Sequence, residues 1–371
     1  MPRRANHEGS ITHRADGRWM GRGRLGNGDR VTVYGRNRAE VAGQLRERLQ
    51  LEAHGLPQPE LTETLQSFLA TWLESQRSRL RPATWETYER HLRLHVLPTL
   101  GRVKLGELRA PAIDRLYQGL LAEGLSTTTV HHVHAILHRA FDQAVRWDYM
   151  VRNLADLVDA PAMARTKMRA LSAEEARRLL AAAAGDRLEA MVVLAVSSGM
   201  RRGELLALRW RDVDLEGSTL SVTGSLGRAH GELQIGEPKT GSSRRSIELT
   251  RQAVEALARR RDIQASEREA AGTAWSERDL VFTTLSGTPI EAGNFLRRHY
   301  WPMLKRAGLD GVRFHDLRHT AATLMLGRGV HPKVASEMLG HSTVAITLNL
   351  YSHVTKTMGR EAARAMEELL G

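Results

Sequence analysis

Between Thr62 and Val158 the apolar positions recur at helical spacing almost without a break. Leu65, Phe68, Leu69, Trp72 and Leu73 form one stripe, and Trp85, Tyr88, Leu92 and Val96 form a second within Thr84 to Leu97. Ile113 to Leu121 and Thr127 to Trp147 supply two more, so the segment predicts an all-helical bundle with breaks at Pro98, Gly101 and Gly124. Ahead of it the pattern is different. Three short runs between Ser10 and Gly35, SITHR, RWMGRGRL and RVTVYG, are separated by Asp16-Gly17 and by Gly26-Asn27-Gly28-Asp29, which are hairpin signals. Asn37 to His54 places Val41, Leu45 and Leu49 four residues apart and predicts a helix closing a three-stranded sheet. Pro57 and Pro59 mark the boundary between the two patterns.

Asn153 to Met168 is polar, contains Pro161 and has no clear period, as expected of a linker. Ser172-Ala173-Glu174-Glu175 then opens a helix as a capping box, each end residue satisfying the amide of the other. A buried helix over Leu188 to Val196, a β-rich stretch from Val213 to Leu249 and several further helices follow. At the end, Val354, Met358, Ala362, Met366 and Leu370 recur every four positions, an amphipathic helix whose narrow stripe must be buried somewhere. The chain therefore divides into residues 1–55, 60–158 and 170–371. The fold class is multidomain and mainly α with α+β parts: a small three-stranded sheet plus helix, a helical bundle, and a mixed α+β domain.

Composition narrows the function. The 371 residues carry 54 Lys and Arg against 42 Asp and Glu, a net charge of +12. That is an electrostatic footprint for nucleic acid, although charge alone also fits a membrane-surface or merely basic protein. With no Cys, disulfides, thiol catalysis, iron–sulfur clusters and thiolate zinc sites are excluded, and a reducing compartment is the default. No stretch approaches the roughly 18 consecutive apolar residues of a membrane span. The opening MPRRANHEGSITHR lacks an apolar core for secretion, so a cytoplasmic protein is expected. Only six of the cations are Lys, which makes an isolated Lys informative.

Four clusters in the last domain carry the candidate chemistry. In Gly199-Met200-Arg201-Arg202-Gly203-Glu204-Leu205 an apolar helix ends and cations open the next element; Arg201 with Glu204 could equally be a structural ion pair. Glu237-Pro238-Lys239-Thr240-Gly241 puts a Lys on a hairpin, where a solvated tip is the plain alternative. In His315-Asp316-Leu317-Arg318-His319, His315 and Arg318 share one helix face while Leu317 turns inward. A metal held by His315 and His319 would lack the Glu of a zinc-protease motif and an acidic third ligand. The fourth cluster, Leu339-Gly340-His341, is followed ten residues later by Tyr351, and a lone Tyr is usually a half-buried core residue. His131, His132, His134 and His138 crowd one helix with no acidic neighbour at ligand spacing, so DNA or solvent rather than a metal is their expected surrounding; His91 and His95 carry no stronger signal.

In the order Arg, Lys, His-x-x-Arg, His, Tyr the four clusters resemble the tyrosine recombinases, the phage-integrase family of site-specific DNA recombinases. The resemblance spans the chain. Residues 1–55 look like an arm-type DNA-binding domain, 60–158 like a helical core-binding domain and 170–371 like the family's catalytic domain. It implies Arg201, Lys239, His315, Arg318, His341 and Tyr351 as the active-site set, with Glu204 as a buried acid supporting the first Arg. The chemistry agrees with the residue types. Guanidinium groups answer the charge building on a phosphodiester's nonbridging oxygens bidentately. A phenol of pKa about 10 needs cations and a base to act as nucleophile, roles open to the two Arg and to His315. Lys239 can protonate the leaving 5′ oxygen and His341 can hydrogen-bond the phosphate, with no metal or other cofactor required.

The implied function is integration, with or without excision, of a phage genome or mobile element through a covalent 3′-phosphotyrosyl intermediate. The implied partners are double-stranded DNA at core and arm attachment sites and a homotetramer on that DNA, with room for an accessory DNA-bending protein and a directionality factor, in the bacterial cytoplasm at the nucleoid and without a membrane. The resemblance also favours docking of the terminal helix on a neighbouring protomer, while docking on its own domain stays open. A chromosome- or plasmid-dimer-resolving recombinase, a type IB topoisomerase and a DNA-binding protein without catalysis are the alternatives. The N-terminal module argues against the first, and the complete residue set against the last.

Overall fold

The computed structural model describes residues 10–14, 17–24, 30–53, 63–163, 168–229, 231–237, 244–341, 343–351 and 366–370. The chain divides into two compact units, residues 1–165 and 166–371. Among the described residues, no helix is long and apolar enough to cross a membrane.

The first unit opens with β1 (Ser10–His13), β2 (Trp19–Arg24) and β3 (Arg30–Gly35), paired antiparallel in chain order, and α1 (Arg38–Ala53). Register decides which residues each face receives. Val31 and Val33 point at α1 and are buried with Val41 and Leu45. Gly21, paired with Ile11 and Val33, lets the helix come close, since a Cβ there would lie 2.7 Å from Val41 Cγ1. The opposite parity puts Arg22, Arg24 and Arg30 together on the outward face, with Arg24 directly across from Arg30.

The helical segment follows: α2 (Leu65–Ser75), α3 (Pro82–His91), α4 (Leu97–Leu100), α5 (Ala110–Ala122) and α6 (Thr127–Arg146). All five residues of the predicted α2 stripe are buried. Thr64 and Ser126 cap α2 and α6, their hydroxyls accepting from Ser67 and Thr129 amides. Pro98 does not break its helix as the sequence suggested. A π-helical turn over Leu92–Val96 precedes it, and the helix runs on through Pro98 to Leu100. The wider turn leaves room for the ring and removes the need for the missing N–H. Pro302 is accommodated in the same way, behind a π-helical turn at Leu296–Tyr300.

The predicted linker also begins later than its polarity implied. Leu154, Ala155 and Val158 are buried in the helical core, and the Asn153 amide bonds His138 O and Asp142. The histidines on α6 differ too. His138 has two acidic neighbours, Asp142 at 3.4 Å and Asp156 at 2.8 Å, and His134 Nδ1 lies 3.2 Å from the Tyr117 hydroxyl. Asp156 comes from beyond the helix, so spacing within the helix did not reveal it, whereas Asp142 stands four residues after His138 on α6 itself and contradicts the expectation of no acidic neighbour at that spacing.

The second unit contains α7 (Ala173–Ala183), α8 (Glu189–Ser198), α9 (Arg202–Leu206), β4 (Val213–Asp214), β5 (Thr219–Val222), β6 (Ser225–Ala229), β7 (Glu232–Gly236) and β8 (Arg245–Glu248). It continues as α10 (Arg251–Ala271), α11 (Ala292–Phe295), α12 (Trp301–Arg306), α13 (Asp316–Gly327), α14 (Pro332–Leu339) and α15 (Val344–Tyr351). The capping box at Ser172 and Glu175 forms as its sequence predicts. α8 is apolar all round because α7, α10 and α13 pack about it. β4, β5 and β8 make one antiparallel sheet, and β6 with β7 a separate hairpin. Arg260, fully buried, is held by Glu267, which also pairs with Arg187. Of the amphipathic C-terminal helix predicted from the sequence, residues 352–365 lie outside the described residues. Met366–Leu370 are helical and exposed.

Candidate active site

Two glycines build the centre of the site. α8 stops at Gly199, which adopts the left-handed conformation at φ 66°, and α14 stops at Gly340 at φ 68°. Each turn aims a backbone carbonyl at a guanidinium: Gly199 O accepts from Arg318 Nη1 at 2.8 Å, and Gly340 O accepts from Arg201 Nη2 at 2.8 Å. Segments more than a hundred residues apart in sequence are thereby locked together.

Arg201 stands just before α9, where Glu204 closes the helix start. The Glu204 carboxylate accepts from the Arg201 amide at 3.0 Å and from Arg201 Nη1 at 2.7 Å. Its second partner is Arg245, whose Nη2 donates at 2.9 Å while its Nε donates to Met338 O at 2.6 Å. Burial pushes the Glu204 carboxyl up, but the Arg245 and Arg201 hydrogen bonds outweigh it and hold the group below its ordinary range. The ion pair anticipated as the plain alternative for Arg201 is therefore present, and it is what aims the guanidinium. Among the described residues, Arg201 and Arg245 pair with the one carboxylate of Glu204 and the Arg318 guanidinium lies within its electrostatic reach, a surplus of two positive charges.

Arg318 lies on α13 and is buried, and its Nη2 has no hydrogen-bond partner among the described residues. Burial, with Arg201 beside it, pushes the group down to about 9, so it remains charged at neutral pH. A dry, cationic N–H without an acceptor favours an anionic oxygen. Leu317 is fully buried, as the face assignment required.

Three histidine rings adjoin the cations. His315 precedes α13, with the His319 ring edge-on at 5.2 Å. Burial and then the Arg318 charge lower His315; burial and then His315 lower His319. His341 follows Gly340 and is pushed down to about 4 by burial and by Arg318 and Arg201, so its ring is neutral at physiological pH. Its Nδ1 lies 2.8 Å from Thr347 Oγ1 on α15. Among the described residues, no group of three His or carboxylate side chains is arranged to hold a metal.

The structure thus gathers Arg201, Glu204, His315, Arg318 and His341. Lys239 lies outside the described residues, and of Tyr351 the backbone alone is described, as the last residue of α15. Tyr300 is unsuited as a substitute: it is buried between Phe295 and Phe314, and burial raises its phenol pKa. Sequence reasoning missed Arg245. The available signal was strand parity, since Arg245 shares the inward face of β8 with buried Ile247.

Comparison with known proteins shows what the chain is similar to. Residues 169–358 match the phage integrase family, and residues 64–121 match the phage integrase N-terminal SAM-like domain. A "Tyrosine recombinase XerC-like" protein of Caldanaerobacter subterraneus is 32% identical over 370 residues, covering 94% of each chain. An integrase of Streptomyces ambofaciens is 31% identical, covering 94% of this chain and 93% of its own. Among solved structures, the Tn1549 transposon integrase in complex with transposon right end DNA superposes with a TM-score of 0.68 at 23% identity, over 83% of this chain and 99% of that one. A lambda integrase tetramer bound to a Holliday junction gives 0.60 at 20% identity, over 94% and 96%.

Proposed function

The chain belongs to the phage integrase family of tyrosine recombinases, site-specific enzymes that cut and rejoin DNA, and we propose that Tyr351 makes the cut beside Arg201, His315, Arg318 and His341. The observation that carries this reading is the surplus of guanidinium charge about Arg318, whose buried Nη2 has no acceptor among the described residues. A nonbridging phosphate oxygen supplies one.

In the proposed step the Tyr351 hydroxyl oxygen attacks the scissile phosphorus and the bond to the 5′ oxygen breaks. The phenol proton passes to His315, whose lowered pKa leaves it neutral and able to accept. The 5′ oxygen takes a proton from Lys239. Arg201 and Arg318 hold the two nonbridging oxygens as charge builds, and His341 adds a further donor. The product is a 3′-phosphotyrosyl linkage; attack on it by a 5′ hydroxyl reverses every transfer, so one phosphoester replaces another and rejoining needs no ATP.

The substrate is duplex DNA at core sites, with the Arg-bearing face of β1–β3 taking a second, arm-type site. That module favours integration and excision of a mobile element over dimer resolution. A tetramer on paired sites, with an accessory bending protein and a directionality factor, completes the reading, and the place of work is the nucleoid in the cytoplasm.

The test is Tyr351→Phe on a nicked suicide substrate. The variant binds site DNA as the wild type does and forms no covalent adduct. Adduct at full yield would remove Tyr351 from the reaction.

A further inference from the structure

We propose that Thr347 is a positioning residue: its hydroxyl donates to His341 Nδ1 and keeps the ring's single hydrogen on Nε2, the nitrogen left for the phosphate. The inference rests on reading His341 as a phosphate ligand.

The argument begins with the ring's charge. Burial and the neighbouring guanidinium groups keep His341 neutral, so it owns one N–H and one lone pair, and the choice of nitrogen decides what it can do. A phosphodiester presents only acceptor oxygens. A ring that binds it must therefore carry hydrogen on the nitrogen facing it, which leaves a lone pair on the other. Nδ1 is 2.8 Å from Thr347 Oγ1, and a hydroxyl can donate to that lone pair, as a carboxylate cannot. Thr347 is fully buried, where water does not replace a lost partner.

Its position adds a second consequence. Thr347 lies on α15 four residues before Tyr351, so the element that holds the His341 tautomer is the element that carries the nucleophile. Where α15 is seated, His341 presents Nε2–H; where it is not, the ring loses its donor and the tautomers mix. One contact thereby links arrival of the nucleophile to readiness of the phosphate site.

The experiment uses the full chain with 15N-labelled histidine, reading ring nitrogen shifts, with His341→Gln identifying the signal. At pH 7 the wild-type ring is in the Nε2–H form. Thr347→Val, similar in shape and lacking the hydroxyl, moves both nitrogens toward averaged shifts. It also slows cleavage of a nicked substrate roughly tenfold, the size of one lost hydrogen bond, with site affinity unchanged. Thr347→Ser restores both. An unchanged ring spectrum in Thr347→Val overturns the positioning role alone, as does an Nδ1–H ring in the wild type, a measurement that needs no variant to fold. Cleavage by His341→Gln at the wild-type rate removes His341 from the phosphate site, and the positioning role with it, while the assignment of Tyr351 stands or falls on its own adduct test.

Discussion

At the scale of single residues, the two Arg that face the site differ in what they can spare. Arg201 divides its guanidinium between Glu204 and Gly340 O, and 37% of its side chain is exposed. Arg318 is buried, spends Nη1 on Gly199 O and keeps Nη2 free of protein acceptors among the described residues. Arg318→Lys retains the charge and loses the planar fork, because one ammonium cannot meet the Gly199 carbonyl and a phosphate oxygen along two parallel directions. Removing a transition-state hydrogen bond of this kind costs about 2.7–4 kcal/mol. Single-turnover cleavage should fall about a hundredfold or more while site affinity barely changes; cleavage equal to wild type would take Arg318 out of the site. The His-x-x-Arg spacing made Arg318 legible in sequence, because i and i+3 on a helix share a face whatever surrounds them. Arg245 is on a strand, where its role depends on parity and on a carboxylate 41 residues away, so chain order alone did not reveal it.

At the scale of elements, the site is made at helix ends. Gly199 takes φ 66°, a conformation that costs a residue with a side chain about 1–2 kcal/mol. A Cβ there would also lie 2.3 Å from Leu339 Cδ2, and Leu339 is fully buried against Ala322, so the side chain has little room to yield. Gly199→Ala should lower the thermal midpoint of the full chain by several degrees and displace the carbonyl that holds Arg318, reducing cleavage as well. Gly119→Ala is its counterpart: that position is helical in the last turn of α5, exposed, with nothing within 4 Å of a new Cβ, and the substitution should stabilise by about 0.5 kcal/mol. A midpoint for Gly199→Ala equal to wild type would refute the strained-turn account. Apolar period and the Ser172 capping signal sufficed to locate α2, α7 and α8. Pro98 misled because the rule for proline in a helix assumes an unbroken α-helical ladder, and the π-helical turn at Leu92–Val96 suspends that assumption.

At the scale of the whole molecule, the net charge of +12 is distributed with a purpose that the sheet register exposes. In β1–β3 the parity that buries Val31 and Val33 under α1 sends Arg22, Arg24 and Arg30 outward together. An Arg-bearing face turned away from α1 can hold a phosphate backbone, and it lies outside the unit that carries Arg201, Arg318 and Tyr351. Binding at the two places should therefore be separable by mutation. Arg22, exposed on β2, contributes counterion release where it meets a phosphate, and losing one such contact reduces the slope of log affinity against log salt by about 0.9. Arg22→Ala should weaken binding to a distal arm-type duplex with that change in slope, and leave cleavage of a minimal core duplex at the wild-type rate. The measurement is a titration of both duplexes across a salt series, alongside suicide-substrate cleavage of the core. Arm binding with an unaltered salt slope would mean the sheet face does not touch phosphate, and slowed core cleavage would mean that it serves the core site instead.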